Sequence, residues 1–270
     1  MRRRLGSLFI ALLVILTFSA GAEEVQPWSR EHPEILLDAH LYSKAVILVD
    51  GDTGETLYQM NAQERMYPAS TTKIMTALLV VEAIERGDLR LDENVAASEN
   101  CGYNLEDDST DANPRIQQGE VLSVQDLLYC TMLVSANEAC NVLAERVSGT
   151  VLSFVDAMNQ RAQELGCTGT HFANANGLED SDHYSTAADF ALIAREAMSH
   201  SIFQQICSTQ KYTTAETNVT AARELINTNM LLNSDSEYYY EYAYGIKTGF
   251  FTNAGYCLVS AASKDEMNVI

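Results

Sequence analysis

Three short motifs carry, in one order along the chain, the residue types of a single acyl-transfer site: Ser70-Thr71-Thr72-Lys73, Ser135-Ala136-Asn137 and Lys247-Thr248-Gly249. A serine hydroxyl is a poor nucleophile until a neighbouring base takes its proton. Lys73 stands three residues after Ser70 at the start of a helical pattern, so the two side chains share a face. Lysine is a base only when neutral. Burial disfavours the ammonium by desolvation, and the partial positive charge of a helix N-terminus acts the same way. Lys247, a second cation, adds to both.

Ser135 and Asn137 lie two apart and do not share a helix face. They converge only if the segment bends or forms a loop between helices. On a strand, Lys247 and Gly249 point to one side. Lys247 then offers positive charge for a carboxylate, and Gly249 removes a side chain from the substrate's path. The Phe250 amide, together with the Ser70 amide, is a candidate oxyanion hole, at ~3 kcal/mol per donor. If this strand lies at a sheet edge, a peptide can align beside it as an added strand.

No single motif is specific. Ser208-Thr209-Gln210-Lys211 repeats the first and Ser98-Glu99-Asn100 the second. Both duplicates fail on context: Ser208 breaks the order, and Ser98 borders an acidic loop. Ser135 is bracketed by Leu127, Leu128, Leu133 and Val134. The bland readings are an N-capping Ser70 with a surface Lys73, a core hydroxyl at Ser135 and a helix cap at Asn137. The apolar helix after Ser70 argues against the first, and the ordered set against the others.

The elements that must hold these residues are legible. Residues 45–49 and 55–59 flank Asp50-Gly51-Asp52-Thr53-Gly54 and predict a hairpin. Residues 74–84, after Pro68 and before Gly87, predict a helix apolar nearly all round, hence buried. Helical patterns cover 124–147, 151–165 and 186–198. Residues 235–244, with five tyrosines among acids, fit either a strand or a loop over the cleft. Residues 243–250 and 254–263 read as a strand pair, and 267–270 as a further strand. Strands at both ends with helices between predict an α+β domain whose terminal strands share one antiparallel sheet.

The 270 residues hold 37 acidic and 17 basic side chains, net −20, which excludes nucleic acid as a natural partner. Arg2 to Arg4, the apolar run from Leu8 to Phe18 and Ala20-Gly21-Ala22 predict a signal peptide over residues 1–22. An arm over 23–41 and a catalytic domain over 42–270 follow. The mature chain then carries 14 basic and 37 acidic residues, net −23. Export permits disulfides. Yet Cys130, Cys140 and Cys257 sit in apolar segments, so the six cysteines read mostly as free, buried thiols. Cys167 and His171 lack the second ligand pair of a zinc site. The acidic 99–114 stretch lacks the spacing of a calcium loop and reads as a solvated loop. No metal or cofactor is expected.

The chain resembles the D-alanyl-D-alanine carboxypeptidases, the low-molecular-mass penicillin-binding proteins, for which the three ordered motifs are a known signature. The likeness extends to Tyr67-Pro68-Ala69 before Ser70, Asp126-Leu127-Leu128-Tyr129, Thr170-His171-Phe172-Ala173-Asn174, Gly177-Leu178, His183-Tyr184-Ser185-Thr186-Ala187, Asn227-Thr228-Asn229 and Gly245-Ile246. It covers roughly residues 42 to 270. It implies a β-lactamase/transpeptidase-like fold with a mainly helical inserted region. It also implies that Ser70 forms an acyl-enzyme, Lys73 is the base and Ser135 relays the proton to the leaving D-alanine. Asn137, Lys247 and Thr248 hold the substrate, with Gly249 and Phe250 beside it. The implied partners are peptidoglycan stem peptides and β-lactam antibiotics, and the implied location is the cell envelope.

Departures are Ala136 where glycine is frequent, Asn176 where histidine is common, and an enlarged 99–114 loop. The family domain usually continues with a further strand and helix, often a second β-rich domain and an amphipathic membrane anchor. The resemblance therefore predicts a chain truncated at its C-terminus, with membrane association only through the missing segment. One rival is a serine β-lactamase, but no Glu-x-x-Leu-Asn loop lies between the second and third motifs. The other is a non-catalytic penicillin-binding or cell-wall sensor module, against which the intact Ser70–Lys73 pair argues.

Overall fold

The computed structural model describes residues 41–105 and 115–270. The expected signal peptide, all but the last residue of the arm, and the 106–114 part of the acidic loop lie outside the described residues. Among the described residues no helix is long and apolar enough to cross a membrane.

The two ends of the chain build one antiparallel sheet, as the strand patterns predict. Strand β1 (Val46–Val49) pairs with β2 (Thr56–Met60) across the Asp50–Gly54 turn. Between residues 85 and 240 come two short ladders. One pairs β3 (Asn94–Ala96) with β4 (Val121–Ser123), the other β5 (Lys211–Thr213) with β6 (Glu224–Ile226). The sequence reading missed both, because three-residue strands carry too little alternation to detect. Strand β7 (Ala243–Phe251) pairs with β8 (Gly255–Lys264), which pairs with β9 (Met267–Val269). Backbone bonds from Val49 N to Ile270 O (2.8 Å), from Ile270 N to Val49 O (3.0 Å) and from Gly51 N to Asn268 O (2.8 Å) join β1 to β9. The order is therefore β2-β1-β9-β8-β7, and β7 is an edge.

Helix α1 (Lys73–Glu85) is the central element. Ile74, Met75, Leu78, Val80 and Val81 are all fully buried. A helix apolar on every side has no face to offer water, so it is enclosed by others. Those are α2 (Val124–Leu133), α3 (Asn137–Ser148), α4 (Val151–Glu164), α5 (Ala187–Ser199) and α6 (Ser201–Ser208). Each buried Ile, Leu or Val side chain contributes roughly 1.5–3 kcal/mol relative to exposure. Ser123, Thr150 and Thr186 cap α2, α4 and α5 by accepting from the N–H groups of Asp126, Ser153 and Asp189.

The single helical pattern over 124–147 is in fact two helices. Ser135 has φ +61°, and the Ala136 N–H turns back to the Cys130 carbonyl at 3.0 Å. A left-handed serine costs on the order of 1–2 kcal/mol, and such strain concentrates at functional sites. The tyrosine-rich stretch is a loop up to Tyr242. Tyr240 packs with Leu57, Leu231, Ala262 and Val269 in a second small core. Tyr238 and Tyr239 are exposed.

Candidate active site

The turn before α1 places the first motif. Residues Ala69–Thr72 form one 3₁₀ turn, with the Thr71 hydroxyl donating to the Pro68 carbonyl at 2.6 Å. Lys73 opens α1 and is completely buried. Its Nζ lies 3.1 Å from Ser70 Oγ and 2.8 Å from Asn137 Oδ1, and it also donates to the Asn176 carbonyl. Those contacts bring the first and second motifs together. They also identify Asn176, a family departure, as a partner of Lys73 through its backbone, which no side-chain pattern could signal.

Desolvation by burial lowers the Lys73 pKa, opposed by the nearby Cys140 and Glu138. Lys247 is equally enclosed, 1% exposed. Burial first and the Lys73 charge second bring it down to about 7. Both amines thus lie in a dry crevice that disfavours their charge, and the sequence predicts that Lys247 adds to this effect on Lys73. For Lys73, however, desolvation dominates and Lys247 is not among the main causes.

Strand β7 places the third motif. Lys247 and Gly249 face inward while Phe250 faces out, as strand alternation requires. A Cβ on Gly249 would meet the Ser70 amide nitrogen at 2.9 Å and that of Thr71 at 3.1 Å. Only glycine lets the edge strand approach the nucleophile turn so closely. Gly177, at φ +84°, has the same task on the other side, where a Cβ would collide with the Ala69 carbonyl.

Ser135 sits in the bend between α2 and α3, beside Asn137 at the start of α3. Among the described residues no hydrogen bond engages its hydroxyl. Thr228, which the sequence reading quoted only as part of a family stretch, is the link between motifs two and three. Its N–H donates to the Leu133 carbonyl at 3.0 Å, and its hydroxyl meets that of Thr248 at 2.7 Å. Asn229 then donates to the Gly245 carbonyl at 2.9 Å, fixing the start of β7.

The duplicate motifs do structural work. Ser98 caps a 3₁₀ turn and donates to Glu145. Lys211 is exposed and pairs with Glu224. All six cysteines are unpaired; five are buried and Cys257 is half-buried.

His183 supports the nucleophile turn from behind. Its Nδ1 accepts the Ala173 N–H at 3.0 Å, so Nε2 carries the proton and donates to Thr72 Oγ1 at 2.8 Å. Burial lowers its pKa to about 4. The unfolded chain binds this proton below pH ~6.5 and the folded chain only below about 4, so stability falls as pH drops through that window. The expected share is about 3 kcal/mol. Denaturant titrations at pH 7 and pH 4 check this: His183→Gln loses that share of the acid sensitivity, whereas an equal drop in both proteins contradicts it.

The chain is similar to known proteins along most of its length. A family model described as D-alanyl-D-alanine carboxypeptidase matches residues 31–270. The D-alanyl-D-alanine carboxypeptidase DacF of Bacillus subtilis strain 168 is 34% identical over 270 residues, covering 100% of this chain and 65% of that protein. The chain thus spans just under two thirds of that relative's length. A solved structure of a Streptomyces K15 DD-transpeptidase mutant superposes with TM-score 0.75 at 33% identity, covering 84% of this chain and 88% of that one. Penicillin-binding protein D2 of Listeria monocytogenes, solved with cefotaxime bound, gives 0.73 at 32% identity over 86% and 89%. Matched along nearly its whole described length, with the β-lactamase/transpeptidase-like fold of these enzymes, the chain belongs to the D-alanyl-D-alanine carboxypeptidase family.

Proposed function

We propose that the protein is a serine-type D-Ala-D-Ala carboxypeptidase that removes the terminal D-alanine from peptidoglycan stem pentapeptides. The observation that carries this is the fully buried Lys73 amine held 3.1 Å from Ser70 Oγ. In this reading neutral Lys73 takes the Ser70 proton as the oxygen attacks the carbonyl of the penultimate residue. The Ser70 and Phe250 amides stabilise the oxyanion. Ser135 passes the proton to the amine of the leaving D-alanine. Asn137 holds the peptide, which lies along the free edge of β7. Lys247 and Thr248 bind the terminal carboxylate. Water then hydrolyses the Ser70 ester and regenerates the enzyme. Penicillins acylate the same serine and stay.

The substrate places the catalytic domain, residues 42–270, outside the cytoplasm, and residues 1–22 supply the export signal for it.

Incubation with a pentapeptide ending in D-Ala-D-Ala tests the reading. Stoichiometric release of one D-alanine is expected, beside a stable penicillin adduct. An adduct without any D-alanine release points instead to a binding or sensor module. Rapid penicillin turnover without adduct accumulation points to a β-lactamase.

A further inference from the structure

Away from the active site, at the far end of α1, Glu82, Glu196 and His200 bring one ligand atom each to within 4.8 Å of one another. His200 Nδ1 lies 2.7 Å from Glu85 Oε2. A carboxylate only accepts, so Nδ1 donates to it, and Nε2 is the ring nitrogen left for another partner. That Nε2 is buried and, among the described residues, has no hydrogen-bond partner. A buried polar atom left without a partner is unfavourable. A carboxylate holding the distal N–H of an imidazole is the usual second shell of a metal-bound histidine.

The charges point the same way. Arg161 bonds Glu82 and Glu196 through their Oε1 atoms and lies 3.7 Å from Glu164, while Glu85 meets His200. Three carboxylates thus share one guanidinium. Oε2 of Glu82 and of Glu196 stay clear of those Arg161 bonds.

We propose that Glu82, Glu196 and His200 form a binding site for a divalent transition-metal ion of the zinc class, with Glu85 orienting the imidazole. One nitrogen and two carboxylate oxygens suit zinc, with water as the fourth ligand. Calcium and magnesium prefer all-oxygen sets. Ligand atoms of a tetrahedral zinc site lie about 3.3 Å apart, so side-chain rotations of about an ångström close the cluster. The ion ties the end of α1 to α5 and, through Arg161, to α4. Its role is structural, since the site lies at the opposite end of α1 from Lys73.

Calorimetric titration of the full chain with zinc chloride tests this, with His200→Ala and Glu196→Gln beside it. One zinc per chain is expected, with affinity at least ~10-fold weaker in each variant and no competition from calcium. An anomalous-scattering peak between the three side chains in zinc-soaked crystals, with a thermal midpoint raised by zinc only in the wild type, completes the support. No binding below ~1 mM, a peak at the cysteines or His183 instead, or unchanged affinity in both variants overturns the proposal.

Discussion

Substituting Ser70 by alanine abolishes covalent capture of penicillin. Intact-mass spectra of the wild type then show one adduct per chain, and those of Ser70→Ala none. The reason is positional as much as chemical. Ser70 is the hydroxyl that Lys73 Nζ reaches at 3.1 Å, and its amide lies where β7 comes closest to the turn. The threonine hydroxyls nearby are engaged elsewhere: Thr71 with Pro68, Thr72 with His183 and Thr248 with Thr228. None of these can inherit the role. D-alanine release should fall on the order of 10⁴-fold or more, since loss of the nucleophile removes the acyl-enzyme route. An adduct of equal yield on the variant would move the nucleophile to another residue.

Lys73→Ala should lower the rate of Ser70 acylation by on the order of 10³-fold or more, with penicillin and with pentapeptide alike. General-base assistance contributes 10²–10⁴-fold in comparable sites. Here the amine also fixes the relative positions of Ser70 and Asn137. Removing it leaves Asn137 Oδ1 and the Asn176 carbonyl without a donor, at about 1–3 kcal/mol each. Relief of the desolvated amine offsets part of that, so the variant folds. Lys73→Arg provides the control. Guanidinium is a permanent cation that does not deprotonate, so it should not restore acylation. Circular dichroism and a denaturant midpoint near wild type confirm that the loss is chemical. Acylation retained in either variant would take Lys73 out of the base role.

Much of this site is written in local residue types. Pro68 before Ser70, the all-round apolar run after Lys73 and the inward alternation of Lys247 and Gly249 each follow from short-range chemistry. The meeting of the Ser70 turn with β7 at Gly249 was legible only as an ordered set of motifs. What stayed hidden depends on distant backbone. The Asn176 carbonyl reaches Lys73 across 103 residues, and a main-chain acceptor leaves no residue-type signature. Thr228 joins the bend at Ser135 to β7 through one amide and one hydroxyl, a task many residues could advertise equally well. The break between α2 and α3 was invisible to periodicity because both halves are apolar. Only the awkward two-residue spacing of Ser135 and Asn137 required it. The tyrosine-rich loop resolved through tertiary packing, with Tyr240 buried and its neighbours Tyr238 and Tyr239 exposed. The cluster around His200 went unnoticed because Glu82 and Glu196 lie more than a hundred residues apart and neither belongs to a ligand-spacing motif.

Whether the amine beside Ser70 is uncharged at rest is the question on which all of this chemistry turns. Carbon-13 NMR of the lysine ε-carbons, with Lys73 assigned through Lys73→Arg, reads its protonation directly across pH. Burial should make Lys73 titrate well below the usual ~10.4 of lysine, with Ser70 acylation rising along the same curve as the proton leaves. A Lys73 that titrates at the ordinary lysine value, while acylation proceeds at full rate at neutral pH, contradicts the mechanism.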